Sequence, residues 1–232
     1  MLLKDYFKDP HLITFTSGAS VDFTPVDFDS PLTAVQRAYL YKNCGVDIPQ
    51  VFWRKQVHGN DVLIVNGGVG SSQGCPDADA YITNKKNLPI AIRTADCVPV
   101  FVFDPIRSVI GLAHAGWKGT YKEIAVKTVQ KMQENFSSNP SSLKVYLGPS
   151  IRSCCYRVSK EFHEYFPNHV KFRDGFLYAD VVGANRDQLI QAGVAKENIQ
   201  DCGVCTCCSK EYFSFRRDGE KAGRMISLMM LK

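Results

Sequence analysis

The stretch at 97–114, CVPVFVFDPIRSVIGLAH, decides the predicted fold because it contains two strands separated by a turn. The runs 98–103 and 108–114 are rich in β-branched and aromatic residues, and the DPIR segment between them suits a type I turn. If Asp104 faces Arg107 across this hairpin, Cys97 lies opposite His114 on the same side, with Cβ atoms ~5 Å apart. This register predicts that one metal ion can bind both side chains.

A third metal ligand is predicted at His58, in the KQVHGND segment that follows the apolar run 51–53. Two imidazoles and one thiolate leave the fourth position of a tetrahedral zinc ion open, whereas structural zinc sites normally have four protein ligands. The pattern therefore indicates a catalytic metal site. The alternative is that His58 belongs to a turn, Cys97 is a small buried apolar residue, and His114 is a strand-end residue with its polar groups satisfied.

An anion site is predicted just after His114. Thr120 and Glu123 have the spacing of a capping box, so a helix is expected to begin at Thr120. Its free N–H groups and its dipole would favour a phosphate, and Lys118 would add a positive charge, although a solvated loop lysine is an equal alternative. A P-loop is excluded because Trp117 stands where Walker A requires the glycine before its lysine.

Three further polar residues are candidates for the same site. Asp96 is a candidate acid or base, but on a regular strand it would point away from the side of Cys97. Asp79, in DADAYIT, is either a site carboxylate that contacts substrate or phosphate, or a strand-start residue bound to its own backbone. Arg216, in FRRDG, is either a bidentate phosphate ligand or a surface arginine.

The nine cysteines among 232 residues are too few for a disulfide scaffold, and an odd number cannot all pair. Charges at positions 4, 5, 8 and 9 interrupt any secretory signal, and no apolar run of ~18 residues could span a membrane. We therefore expect a cytoplasmic protein with free thiols. A zinc knuckle is conceivable at the C-terminal cysteines, although they are more crowded than the two separated pairs of a zinc ribbon: Cys202, Cys205, Cys207 and Cys208.

Six motifs in chain order resemble the multicopper-oxidase-like laccase domain (YfiH-like) family: KQVHGNDV, DADAYIT, TADCVPV, HAGWKGT, GPSIRSCCYRV and CTCCSKEYFSFRRDGEKAGRM. The resemblance implies a layered α/β/β/α sandwich and a zinc ion, or copper in some preparations, at His58, Cys97 and His114. It also implies phosphorolysis of adenosine, inosine or methylthioadenosine, with deamination of adenosine as a second activity. It favours Arg216 as a site residue, and it matches Cys205 and Cys208 to a family Cys-Thr-x-Cys element.

The histidine content weighs against multicopper oxidation. A laccase needs many histidines, and only His11, His163 and His169 remain beside the predicted triad, so a trinuclear copper cluster cannot be assembled. The His-x-Glu motif of nucleobase deaminases is also absent. Any deamination must therefore use the predicted triad, where zinc would lower the pKa of bound water toward ~7.

We therefore expect one mixed α/β domain over residues 1–232 with a mixed sheet. Further helices are expected at 31–44, capped by Ser30 and ended by Gly45, and at 180–192, ended by Gly193. The net charge of +5 could attract anionic substrates but is too modest to indicate nucleic-acid binding. The predicted function is that of a zinc-dependent purine nucleoside enzyme acting on nucleosides and phosphate. The alternatives are a single-copper polyphenol oxidase and a non-catalytic metal or redox module built on the cysteine cluster. The preferred nucleoside and the oligomeric state stay open.

Overall fold

The computed structural model describes residues 3–24, 31–48, 51–67 and 75–232, and two β-sheets packed face to face form its centre. The strands in these ranges are β1 (Leu3–Lys4), β2 (Leu12–Thr16), β3 (Val62–Ile64), β4 (Ala80–Thr83), β5 (Ile90–Thr94), β6 (Val98–Asp104), β7 (Val109–Ala115), β8 (Lys144–Leu147), β9 (Arg157–Val158), β10 (Val170–Arg173), β11 (Phe176–Ala179), β12 (Ile199–Asp201) and β13 (Met225–Leu231). The helices are α1 (Ala34–Cys44), α2 (Trp117–Tyr121), α3 (Ile124–Phe136), α4 (Phe162–Tyr165), α5 (Val181–Gln191) and α6 (Phe215–Asp218). Short 3-10 turns occupy Pro140–Ser142, Lys196–Asn198 and Gly219–Lys221.

The larger sheet has six strands in the order β12-β8-β6-β7-β4-β3 and is mixed, as predicted. Its two outer pairs, β12 with β8 and β3 with β4, are parallel, and its inner pairs are antiparallel. The second sheet is antiparallel and has the order β1-β2-β13-β5. A small antiparallel sheet has the order β10-β11-β9.

Three apolar clusters separate four layers and confirm the predicted α/β/β/α sandwich. The first lies between the six-stranded sheet and helices α3 and α5, the second between the two sheets, and the third between the four-stranded sheet and α1. Side chains alternate along β6, so Val100 belongs to the first cluster and Phe101 to the second. Because both faces of β6 are buried, its sequence is apolar throughout and shows no polar alternation.

The hairpin of β6 and β7 is present, but its predicted register is wrong by two residues. Asp104 pairs with Val109, and Pro99, not Cys97, lies opposite His114. The loop is longer than predicted because Asp104 Oδ1 accepts the N–H groups of the second and third loop residues, at 2.9 and 3.0 Å, and Ser108 adopts a φ of +50° before β7 begins. A shift of two residues keeps every side chain on its predicted face, so Cys97 still approaches His114.

The helix predicted at 31–44 begins at Ala34, because Thr33 and Gln36 form a capping box by exchanging hydrogen bonds of 3.0 and 3.3 Å. Ser30, the predicted cap, lies outside the described residues. Gly45 ends the helix as predicted, with a φ of 74°. The helix predicted at 180–192 corresponds to α5, with Asp180 as its N-cap. No helix in the described ranges is long and apolar enough to cross a membrane.

The capping box predicted at Thr120 is wrong. Thr120 lies inside α2 and is fully buried, and its hydroxyl accepts a hydrogen bond from Asn185 Nδ2 at 2.8 Å. Glu123 has a φ of 61° and separates α2 from α3, which begins at Ile124. The chain therefore offers no long helix that begins at Thr120 to hold a phosphate.

Candidate metal centre and substrate pocket

His58, Cys97 and His114 converge from three separate segments. Their ligand atoms all lie within 4.8 Å of one another. His58 Nε2 lies 3.8 Å from Cys97 Sγ, and the two imidazole rings meet edge to face with centroids 4.8 Å apart. The three predicted metal ligands therefore form one compact group.

Left-handed backbone conformations place two of these ligands. His58 has a φ of 57°, and Asp96, which immediately precedes Cys97, has a φ of 90°. The chain bends at 95–97 between β5 and β6, so Cys97 precedes the regular strand. Non-glycine residues adopt such conformations at a cost, which surrounding contacts must offset. The strand alternation that would turn Asp96 away from Cys97 does not apply at this bend.

Asp79 is fully buried and holds both histidine segments. Its Oδ1 accepts hydrogen bonds from His114 Nδ1 at 2.8 Å and from the His58 N–H at 3.0 Å. Its Oδ2 accepts from the N–H groups of Val57 and Gly59 at 3.1 and 2.8 Å. Burial raises the pKa of Asp79, but these hydrogen bonds outweigh it and hold the pKa below its usual value. Asp79 thus lies behind His114 as a positioning residue, which differs from the predicted contact with substrate or phosphate.

Cys97 and His114 shift each other's pKa in opposite directions. Burial raises the pKa of the Cys97 thiol, but the His114 and His58 imidazoles outweigh it and lower this pKa to about 6. Burial lowers the pKa of His114, whereas the Cys97 thiolate and the Asp79 carboxylate raise it to about 9. Each group therefore favours the charged form of the other, the thiolate of Cys97 and the imidazolium of His114. A divalent cation would replace the proton on His114.

The space around the triad fits a metal centre. A Cβ atom on Gly116 would lie 2.8 Å from His58 Cδ2 and 3.0 Å from Cys97 Sγ. The backbone of Gly116, with φ −71° and ψ 171°, suits any residue, so glycine is needed here for space alone. Because Asp79 accepts the hydrogen bond from His114 Nδ1, the other ring nitrogen, Nε2, is the one that can bind a metal ion. Two imidazoles and a thiolate are donors that suit zinc or copper.

A pocket of about 430 Å³ is lined by His58 and Cys97 of the triad and by both predicted cationic residues, Lys118 and Arg216. The ammonium group of Lys118 lies 5.5 Å from the centroid of the Trp117 ring. Arg216 donates from Nη1 to the Arg157 carbonyl at 2.7 Å, and its guanidinium lies 5.1 Å from the Tyr156 ring centroid. The pocket thus combines positive charge with the aromatic side chains of Trp117, Tyr156 and Phe215.

Asp96 also lines this pocket, and it connects two loops. Its Oδ1 accepts a hydrogen bond from the Thr206 hydroxyl, and its Oδ2 accepts one from the Arg216 N–H, each at 2.6 Å. Among the described residues that line the pocket, Asp96 is the one carboxylate. Its predicted role as acid or base stays a prediction.

Two arginines that the sequence analysis missed border a second pocket, on which His58, Cys97 and His114 also lie. These are Arg93 and Arg224. The guanidinium carbon of Arg93 lies 5.7 Å from the centroid of the Trp53 ring, and that carbon of Arg224 lies 6.0 Å from the centroid of the Phe215 ring. Arg93 is the single charged residue of the strand IAIRT, and that isolated charge is a signal that sequence reasoning could have used.

Within the described part of the chain, groups of three or more potential metal ligands occur at the triad and at four cysteines. His11, His163 and His169 belong to neither group, so the described residues provide no ligands for a trinuclear copper cluster. The knuckle that was considered for the four C-terminal cysteines does not form among the described residues. Cys205 and Cys208 instead meet Cys154 and Cys155. Cys202 takes part in hydrogen bonds with Arg152 Nη2 and the Val204 N–H, each at 3.4 Å, and Cys207 is outside the group.

Several known proteins resemble this chain in sequence or in fold. A purine nucleoside phosphorylase of Clostridium acetobutylicum is 36% identical over 191 residues, which cover 80% of this chain and 79% of the relative. The purine nucleoside phosphorylase YlmD of Bacillus subtilis is 34% identical over 211 residues, which cover 84% of this chain and 76% of the relative. The crystal structure of the Bacillus licheniformis hypothetical protein YfiH has a TM-score of 0.84 at 28% identity and covers 100% of this chain and 96% of its own. The crystal structure of YlmD from Geobacillus stearothermophilus has a TM-score of 0.83 at 26% identity, and the match covers 96% of this chain and 93% of that structure's chain.

The family model described as multi-copper polyphenol oxidoreductase laccase matches residues 25–232. This match confirms the resemblance that the six sequence motifs indicated. The chain therefore belongs to the multi-copper polyphenol oxidoreductase laccase family.

Proposed function

We propose that this protein is a zinc-dependent purine nucleoside phosphorylase. It would cleave adenosine, inosine or methylthioadenosine with phosphate to the free base and the sugar 1-phosphate, and it would also deaminate adenosine. The relatives named purine nucleoside phosphorylase support the first reaction. The observation that carries the proposal is that His58 and Cys97, two members of the compact group with His114, line the same pocket as Lys118 and Arg216.

The pocket suits a nucleoside in size and chemistry. Its volume of about 430 Å³ lies within the usual range for small-molecule sites. Trp117 and Tyr156 offer aromatic surface for a purine ring. Lys118 and Arg216 would bind phosphate, the ammonium as a point charge and the guanidinium as a planar donor.

In phosphorolysis, the bond from C1′ to the purine nitrogen breaks, and its electron pair leaves with the base. A phosphate oxygen forms the new bond to C1′ through an oxocarbenium-like state. The departing purine takes up a proton, and Asp96 is our candidate to deliver it, or to accept a proton from water during deamination. Each Asp96 oxygen already accepts one hydrogen bond and can accept a second.

His58, Cys97 and His114 would hold the metal ion, and when bound the ion would supply Lewis acidity next to the pocket. Asp79 fixes the ring orientation and the tautomer of His114. Gly116 leaves the room that the His58 ring and the Cys97 sulfur require.

Phosphate kinetics test the assignment of the two cations. Loss of one charge-assisted contact, worth about 1.5–3 kcal/mol, should raise the KM for phosphate about 10- to 100-fold in Lys118→Met and Arg216→Met. Lys122→Met is the matched control, because Lys122 is exposed and does not line the pocket. An unchanged KM for phosphate in both pocket variants would contradict the proposed phosphate site.

The donor set also favours a second candidate function, a single-copper phenol oxidase, since two imidazoles and one thiolate are the ligands of blue copper centres. Copper-loaded protein would then show an intense thiolate-to-copper absorption band and would consume oxygen with a phenol. Absence of both signals would reject this candidate.

A further inference from the structure

We propose that Cys154, Cys155, Cys205 and Cys208 form a second metal site, a closed tetrathiolate zinc centre that fixes the two loops beside the substrate pocket. The four sulfur atoms all lie within 4.8 Å of one another. Cys208 Sγ is 3.6 Å from Cys154 Sγ and 3.3 Å from Cys155 Sγ. A tetrahedral zinc ion with Zn–S bonds of about 2.3 Å separates its sulfurs by about 3.8 Å. The cluster thus already has nearly the dimensions of such a centre.

The fold assembles this cluster from two cysteine pairs. One pair follows β8 and the other follows β12, and these strands are parallel neighbours. Beyond the strands, the Ser150 N–H donates to the Val204 carbonyl at 3.3 Å, and the Thr206 N–H donates to the Ser150 carbonyl at 3.1 Å. Arg152 adds a bidentate bond to Asp201, at 2.8 and 2.7 Å. The two loops are therefore held together by contacts that do not involve the sulfurs.

Backbone groups support the sulfur ligands. Burial raises the pKa of the Cys205 thiol, but the backbone N–H groups of Cys208 and Arg152 favour its thiolate and help to lower this pKa. Hydrogen bonds of this kind orient a metal ligand and favour its thiolate form. Four cysteine ligands would close the coordination sphere, so this centre would be structural, in contrast to the triad with its open position.

The cluster is joined to the substrate pocket by short contacts. Thr206 lies between Cys205 and Cys208 and binds Asp96 at 2.6 Å. Tyr156, which follows Cys155, lines the pocket. The guanidinium of Arg216 donates to the carbonyl of Arg157 at 2.7 Å in the same loop. A metal ion at the cluster would therefore fix the walls that face the substrate.

Zinc analysis of purified, zinc-loaded protein tests the proposal without measuring activity. The unmodified protein should hold two zinc ions per chain, and Cys97→Ser and Cys205→Ser should each hold one. Cys207→Ser is the matched control and should retain both ions, since Cys207 lies in the same loop but outside the cluster. X-ray absorption at the zinc edge of Cys97→Ser should show four sulfur neighbours at about 2.3 Å.

Metal binding by Cys97→Ser tests the tetrathiolate centre even if Cys205→Ser does not fold. Cobalt(II) titration of metal-free Cys97→Ser should saturate at one equivalent, with the absorption bands of a tetrathiolate site. Failure to bind zinc or cobalt, nitrogen or oxygen neighbours at the zinc, or a disulfide among the four cysteines by mass spectrometry would overturn the proposal. None of these outcomes depends on the nucleoside reaction, so the two proposals fail separately.

Discussion

Replacing Asp79 with asparagine removes the charge shared by the two histidine segments while preserving the size of the side chain. Asp79 Oδ1 accepts from His114 Nδ1 and the His58 N–H, and Oδ2 accepts from the N–H groups of Val57 and Gly59. Asparagine has one acceptor oxygen and one amide nitrogen that only donates. Either orientation of the new amide therefore removes an acceptor from this buried network.

The expected loss of zinc affinity follows from the two orientations that the new amide can adopt. If the amide nitrogen replaces Oδ1, it faces His114 Nδ1 and drives the ring proton to Nε2, the nitrogen that a metal needs. If it replaces Oδ2, the N–H groups of Val57 and Gly59 lose their acceptor, and a typical hydrogen bond contributes about 0.5–1.5 kcal/mol. Loss of such a partner typically weakens metal binding 10- to 100-fold, or about 1.4–2.8 kcal/mol. We expect the zinc Kd of the triad to rise by this factor.

Zinc bound at the triad should protect Cys97 from alkylation. Peptide mass spectrometry that measures this protection at increasing concentrations of free zinc reports on this site alone. Asp104→Asn is the matched control: Asp104 is also buried, but it caps the hairpin loop, and its Oδ2 has no hydrogen-bond partner among the described residues. The control should protect Cys97 at the same zinc concentration as the unmodified protein. An Asp79→Asn curve within about twofold of the control would refute the positioning role, because the expected effect is at least ~10-fold.

Three other changes have defined outcomes. Gly116→Ala should weaken zinc protection of Cys97 at least ~10-fold, because the new Cβ would lie 2.8 Å from His58 Cδ2, and an unchanged protection curve would contradict the steric argument. Gly148→Ala should lower Tm by ~2–12 °C without changing zinc affinity. Its Cβ would lie 2.7 Å from Pro99 Cγ, and such overpacking destabilises the fold by about 1–3 kcal/mol. An unchanged Tm in calorimetry would contradict this prediction. In the metal-free protein, iodoacetamide should modify Cys97 with a midpoint near pH 6, since the neighbouring imidazoles lower its pKa to about 6, whereas an ordinary thiol would show a midpoint near ~8.5.

The sequence predicted the hairpin and the meeting of Cys97 with His114, because both depend on the alternation of side chains between the two faces of a strand. The exact register depended on the loop, and no pattern in the sequence indicated that Ser108 adopts a φ of +50°. The approach of Cys97 to His114 survived this error because a shift of two residues preserves the face of each side chain.

Contacts between distant segments were beyond sequence reasoning. Asp79 and the backbone at 57–59 are about twenty residues apart, and the pairing of a buried carboxylate with three N–H groups leaves no local pattern. Cys154 and Cys155 meet Cys205 and Cys208 only because β8 and β12 are parallel neighbours. The sequence drew attention to the C-terminal cysteines but left their role open, because the members of the cluster depend on this strand pairing.

The most direct test of the central claim is chromatographic analysis of the products from adenosine, with and without phosphate, using metal-analysed protein and its Cys97→Ser variant. We predict adenine and ribose 1-phosphate that form only with phosphate and only with the unmodified protein. Absence of adenine from the unmodified protein, or equal amounts from Cys97→Ser, would contradict a metal-centred phosphorolysis at this site.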